Sequence, residues 1–183
     1  MVGGMKKMIK VIAVNGMPRC GKDTFIDICI KKLEEDGRKT SSIDFVKKIA
    51  FYCGWRGEKD LKNRKFLSDM KDLLTEWGDI PYKEIEKAIK VWEMWNERHQ
   101  IEGDKYLFIC IREPEELEKV RERLGALCVL VRRNDAECAL TSNHADEGVF
   151  DFAYDYVIDN NGSLEQLEES AELLIEILTR EMH

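Results

Sequence analysis

The sequence predicts a three-layer α/β fold, in which a mostly parallel sheet of five strands is covered by helices on both faces. Two observations predict it. Short, β-branched or apolar runs alternate with amphipathic stretches along most of the chain, and that rhythm breaks only once, at two consecutive helical patterns.

Met8–Asn15 (MIKVIAVN) is rich in β-branched residues and stops at Gly16, the pattern of a buried first strand. A helix is expected over Thr24–Asp36, where Phe25, Ile28, Cys29 and Leu33 recur at helical spacing and Gly37 is placed to cap the end. Lys39–Asp44 reads as a short second strand and Val46–Trp55 as a helix. The break follows. Phe66, Met70, Leu73, Leu74 and Trp77 form one apolar stripe, and Ile85, Ala88, Ile89, Trp92 and Trp95 form another. Gly78–Pro81 separates them as a turn. The aromatic residues of this pair, Trp77 and Trp92 among them, are expected in a core at that spacing, with stacking on a base as the other reading. The rhythm resumes at Lys105–Ile111, a third strand. Pro114 suits the first position of a helix, with Glu115 and Glu116 in its first turn. Ala126–Arg132 reads as a fourth strand, Asn134–Val149 as a polar loop and Tyr154–Asp159 as a last strand. Ser163 opens a C-terminal helix, with Gln166 as its capping-box partner.

With 183 residues the chain suits one domain, read as a core over 8–55 and 104–183 with a helical insert at about 56–103 and a lid at about 133–150. Its 44% hydrophobic content is enough for a sizeable core. The net charge of -7 argues against non-specific nucleic-acid binding, which needs a basic face. The longest apolar run, Leu124–Val131, has the length of a buried strand, far short of a membrane span. Lys10 interrupts the apolar residues after Lys6 and Lys7, so no secretory leader is expected. Six cysteines, at 20, 29, 53, 110, 128 and 138, form no CxxC pair and are read as reduced thiols of a cytoplasmic protein.

The chemistry is concentrated after the first strand. Gly16-Met17-Pro18-Arg19-Cys20-Gly21-Lys22-Asp23-Thr24 reads G-x-x-x-x-G-K-D-T. Such glycines let the backbone turn so that successive N–H groups point at an anion, and the following helix adds its positive end. Between a strand and an amphipathic helix, this reads as a phosphate-binding loop rather than an ordinary glycine turn, with Gly16, Arg19, Cys20, Gly21, Lys22, Asp23 and Thr24 expected against a nucleoside triphosphate. Asp23 stands where a serine or threonine is usual. It is read either as a ligand of Mg²⁺, direct or through water, or as the helix cap with Thr24 serving phosphate or metal.

In an open parallel sheet ligands bind at the carboxyl ends of the strands. Asp44 and Lys47 at the second strand are candidates for the acceptor, with a solvated charge cluster as the other reading. Arg112 follows the third strand, where a guanidinium can grip phosphate in a fork. Arg132 and Arg133 end the fourth, placed to neutralise charge in phosphoryl transfer. His144 in the segment Ser142–Asp146 has no partners at metal-ligand spacing, so it is read as a nucleotide contact or a loop hydrogen bond.

Together these residues resemble the P-loop nucleoside monophosphate kinases, most closely the deoxynucleoside monophosphate kinases of phages and their bacterial relatives. The resemblance is carried by Gly21–Thr24 (GKDT), Asp44–Lys47 (DFVK), Ile111–Glu116 (IREPEE) and Tyr154–Leu164 (YDYVIDNNGSL), the last also similar to dephospho-coenzyme A kinases. Cys110 stands where such kinases often carry an aspartate. The resemblance implies transfer from ATP with Mg²⁺ to a (deoxy)nucleoside 5′-monophosphate, with Lys22, Arg112, Arg132 and Arg133 catalytic. It also implies an Asn160 contact to the cofactor, an acceptor held by Asp44, Lys47 and Arg112, and a monomer or homodimer without nucleic-acid or membrane partners. The other readings are a kinase of another small phosphorylated metabolite, such as a coenzyme A precursor, and a non-catalytic ATP-binding module. A GTPase switch is disfavoured because the chain has no NKxD guanine motif.

Overall fold

The structure, a computed structural model, describes residues 9–134 and 148–180. It divides into two compact units, one of residues 1–39 with 102–183 and the other of residues 40–101.

The first unit is built on the sheet. Its strands are β1 (Ile9–Asn15), β3 (Lys105–Cys110), β4 (Leu127–Arg132) and β5 (Tyr156–Asp159). With β2 (Gly37–Ser41), whose last residues pass into the second unit, the order is β2-β3-β1-β4-β5. β1 runs parallel to β3 and β4, and β4 parallel to β5, in a five-stranded all-parallel sheet. β1 is central because its residues 11–15 are fully buried, and a chain that is apolar on both faces is stable only between two layers. Alternation along the strands decides which layer each side chain meets. Ile12, Val14, Tyr106, Phe108, Val129 and Val131 pack with Phe25, Ile26 and Cys29 of α1 (Lys22–Leu33) and with Leu167, Ala171, Leu174 and Leu178 of α6 (Leu164–Arg180). α5 (Pro114–Leu124) packs on β1 and β4 and buries Leu117 and Val120. Pro114 begins α5 as expected, and α6 carries the expected reciprocal cap. Gln166 N–H donates to Ser163 Oγ at 3.4 Å, and Ser163 N–H to Gln166 Oε1 at 3.0 Å.

The second unit is helical. It holds α2 (Asp44–Tyr52), α3 (Leu61–Gly78) and α4 (Ile80–Arg98), which pack on one another. The Asp60 carboxylate caps α3 by accepting from Asn63 N–H at 2.9 Å.

Several expectations are corrected. The first helix starts at Lys22 rather than Thr24, because Gly21 in the left-handed region already ends the loop. Gly37 does not take a left-handed cap conformation. It is extended and opens β2, while a 3₁₀ turn over Glu34–Asp36 finishes the helix. The second strand stops at Ser41, so Asp44 begins α2 instead of ending a strand; its Oδ2 accepts from Ser41 N–H at 2.9 Å, which turns the chain out of the sheet. Gly78–Pro81 is no separate turn. Gly78 ends α3, Asp79 alone bridges in the left-handed region, and Pro81 lies in the first turn of α4. The stripe of α3 is only partly covered: Met70 and Leu74 are half-buried, but Phe66 is 38%, Leu73 65% and Trp77 83% exposed, while the helix buries Ser68 and Lys71. Trp92 of α4 is core, at 2% exposed. Periodicity shows which residues share a helix face, but not whether that face meets a neighbour.

Candidate active site

The loop between β1 and α1 lies beside the point where the strand order reverses, with β3 on one side of β1 and β4 on the other. Its backbone is wound in a way few residues tolerate. Gly16 has φ 153° and Gly21 φ 93°, with Arg19 at φ 64° between them. A Cβ on Gly16 would strike the Val131 carbonyl oxygen and lie 2.6 Å from Cys20 Sγ. One on Gly21 would land on Asn160 Nδ2. The two glycines therefore stand where backbone must pass close to neighbours, as an anion-cradling loop requires.

α1 begins immediately, at Lys22, so its unpaired N–H groups and positive dipole end belong to this loop. Gly21 is the cap, and no side chain caps the helix. Of the two readings of Asp23, the helix cap is thereby removed. Asp23 and Thr24 lie exposed in the first turn, and Lys22 is half-buried. Among the described residues Lys22 has no ion-pair partner.

Cys110, the last residue of β3, sits against this turn with its Sγ 3.7 Å from Asp23 Oδ1. Burial pushes its thiol up to about 11, and Asp23 adds to the rise while Lys22 and Lys39 oppose it. The thiol is thus a neutral neighbour of Asp23 at physiological pH, where an aspartate would add a second negative charge. Lys39 is paired with Asp27, and that hydrogen bond chiefly raises its ammonium above the usual value.

Asn160 follows β5 and lies beneath the loop. Its Nδ2 donates to the Cys20 carbonyl at 2.8 Å, and its backbone N–H to the Arg132 carbonyl at 2.8 Å. Arg112 is exposed just after β3. Arg132 points its fork at Asp159, the residue opposite it on β5, with Nη2 3.0 Å from Oδ2 and Nε on Oδ1. This fork takes two of the five guanidinium N–H donors and leaves three for another partner. Arg133 is exposed at the end of β4. His144, Cys138 and most of the expected lid lie outside the described residues.

The second unit holds a cavity of about 270 Å³. Thr40, Ser41, Ser42, Asp44, Phe45 and Lys48 line it from one side, and Glu84, Ile85, Lys87, Ala88 and Val91 of α4 from the other. Asp44 is a lining residue, and Lys47 is instead held by Asp44 Oδ1 at 3.3 Å. Lys48, which follows Lys47 in the charge cluster after the second strand, borders the cavity, whereas Glu84 and Lys87 were not singled out by sequence reasoning. Charged residues on an exposed helix carry no signal until packing shows which of them border a cavity.

The residues of the loop fit a nucleoside triphosphate with Mg²⁺. Two backbone positions admit no side chain, a helix starts at the bend, and Asp23 and Thr24 present hard oxygen donors in its first turn. No group of three or more His, Cys, Asp or Glu among the described residues could hold a metal ion by itself. No helix among the described residues is long and apolar enough to cross a membrane.

No family model matches the chain, and neither does any curated protein. Solved structures do. A presumed kinase from Chloroflexus aurantiacus matches with a TM-score of 0.57 at 11% identity, over 96% of this chain and 99% of that one. The APS kinase of Mycobacterium tuberculosis, solved with AMPPNP and APS, matches at 0.49 and 14% identity over 94% and 99%. Shikimate kinase from Bacteroides thetaiotaomicron matches at 0.47 and 17% over 93% and 98%. At such identities likeness establishes fold alone, and scores below 0.5 add nothing to it. The chain has an α/β fold with a five-stranded all-parallel sheet flanked by helices, the fold it shares with the Chloroflexus aurantiacus protein.

Proposed function

We propose that the chain is an ATP-dependent phosphotransferase that phosphorylates a (deoxy)nucleoside 5′-monophosphate. The observation that carries the reading is the loop Gly16–Thr24, with its two side-chain-excluding glycines, its left-handed backbone and its helix start. Lys22 and the loop amides hold the triphosphate and stabilise charge on the transferring oxygens. Asp23 and Thr24 would hold Mg²⁺, which would supply charge neutralisation on the triphosphate. Arg112, with Arg132 and Arg133, adds positive charge as the phosphoryl group passes in line to the acceptor.

The cavity of the second unit supports a small acceptor. Its volume of about 270 Å³ suits a single mononucleotide rather than a polymer. The ammonium groups of Lys48 and Lys87 match a phosphate, and Phe45, Ile85 and Val91 match the faces of a flat ring. The carboxylates of Asp44 and Glu84 accept from sugar hydroxyls or ring N–H groups.

Purified chain incubated with Mg-ATP and a panel of nucleoside monophosphates, extended to coenzyme A precursors, tests the reading by ADP release. Turnover with one or a few monophosphates supports it. ADP release only with a non-nucleotide acceptor, or none with any acceptor from folded protein, overturns it.

A further inference from the structure

The side chain of Asn15 is completely buried at the end of β1 and makes three hydrogen bonds that tie the phosphate loop to the end of β3 and to the segment before β5. The backbone ladder between β1 and β3 extends as far as Ile111 N–H donating to the Val14 carbonyl, at 3.1 Å. There Gly16 turns the chain away with φ 153°, and the two backbones part. Asn15 supplies the next rung from its side chain, its Nδ2 donating to the Arg112 carbonyl at 3.1 Å. The same nitrogen donates to Tyr154 Oη at 2.8 Å, and Tyr154 Oη donates onward to the Val149 carbonyl at 2.8 Å. Asn15 Oδ1 accepts from Gly16 N–H, the first amide of the phosphate loop, at 2.6 Å.

These partners leave the carboxamide one orientation. Gly16 N–H can only donate and the Arg112 carbonyl can only accept, so Oδ1 must face the loop and Nδ2 must face β3. A leucine would occupy similar space but would take away the acceptor of the buried Gly16 amide and the donor to the Arg112 carbonyl. Aspartate would keep the acceptor and lose both donors. The requirement at this position is thus for a side chain that accepts on one side and donates on the other.

We infer that Asn15 is a positioning residue for phosphoryl transfer. It acts through Arg112, holding the backbone that carries this arginine in register with the first amide of the phosphate loop. The inference rests on the phosphotransfer reading above. Transfer needs the loop amides and the arginine on one phosphoryl group at once, and a displacement of about 1 Å in such an array can lower the rate about 100-fold.

The test is a double-mutant cycle on the full chain. Wild type, Asn15→Ser, Arg112→Ala and the double variant are assayed with Mg-ATP and the monophosphate that wild type turns over, and ADP affinity is measured separately by calorimetry. Asn15→Ser is expected to lower kcat about 10- to 100-fold while ADP affinity changes less than about threefold. In the Arg112→Ala background the same substitution is expected to lower kcat by less than about threefold, because the group it positions is gone. A full loss repeated in that background overturns the inference, as does an unchanged kcat in Asn15→Ser. Should Asn15→Ser fail to fold, Asn15→Asp keeps the volume and the Gly16 acceptor, and the same cycle is read on it. Wild type without turnover would sink the phosphotransfer reading and this inference with it; wild-type turnover with additive losses sinks the inference alone.

Discussion

Asn160 donates its Nδ2 to the carbonyl oxygen of Cys20 at 2.8 Å, joining the end of the last strand to the middle of the phosphate loop. The residues are 140 positions apart, and both are nearly buried. The bond fixes a loop that has no regular structure of its own. The Asn160 carboxamide also fills the space a Cβ on Gly21 would need, which is why no side chain fits there.

Gly21→Ala should therefore disturb two things together. Its φ of 93° is strained for alanine, and its Cβ would displace the Asn160 carboxamide. Stability should fall by about 1–3 kcal/mol, read as a lowered midpoint in chemical denaturation. Affinity for a fluorescent ATP analogue should fall with it. An alanine variant that matches wild type in both would show that this contact is dispensable.

Lys22→Ala should separate chemistry from folding. Among the described residues Lys22 has no ion-pair partner, so thermal denaturation should be nearly unchanged. Loss of one preorganised donor to the transferring group should lower kcat at least about 100-fold. Turnover persisting near the wild-type rate would place the phosphate somewhere other than this loop.

Lys48→Ala should raise the KM of the acceptor about tenfold, the worth of roughly one charge-assisted hydrogen bond, and leave the KM of ATP alone. Lys48 borders the cavity between Asp44 and α4. Initial rates with each substrate varied in turn decide it. An effect confined to ATP would count against the acceptor assignment.

The pH dependence of stability should be steepest on the alkaline side. Burial pushes the Cys29 thiol up to about 12, the Cys128 thiol to about 11 and the Tyr154 phenol to about 12. The folded chain therefore keeps protons that the unfolded chain releases above pH 9 for the thiols and above pH 10 for the phenol. Each group's contribution is fully present below those values and is lost as pH rises towards 11–12. The expected slope is up to about 1.4 kcal/mol per pH unit for each group ionised only in the unfolded state. Urea unfolding at several pH values measures it, and Tyr154→Phe should flatten the decline above pH 10. A flat profile from pH 8 to 11 would contradict the burial of these groups.

The loop after β1 was legible because its chemistry is local: glycines, a lysine and a helix start all lie within nine consecutive residues, Gly16–Thr24. The alternation of strand and helix was legible for a similar reason, since side-chain periodicity is a property of neighbouring residues. Asp44 was misplaced because a carboxylate accepting from the Ser41 amide ends a strand without any glycine or proline to mark it. Trp77 was placed in a core because its stripe has helical spacing, yet nothing in the sequence shows that α3 turns Ser68 and Lys71 inward instead.

By itself, the sequence determined the β–loop–helix unit, the parallel α/β class and the kinds of charge at the strand ends. Tertiary structure alone decided the partners of those charges: Arg132 on Asp159, Asn160 on Cys20, and Asn15 between Gly16 and Arg112. The reason is physical. Periodicity and turn preference act over a few residues along the chain, whereas a hydrogen bond between strand ends depends on which strands the sheet makes neighbours.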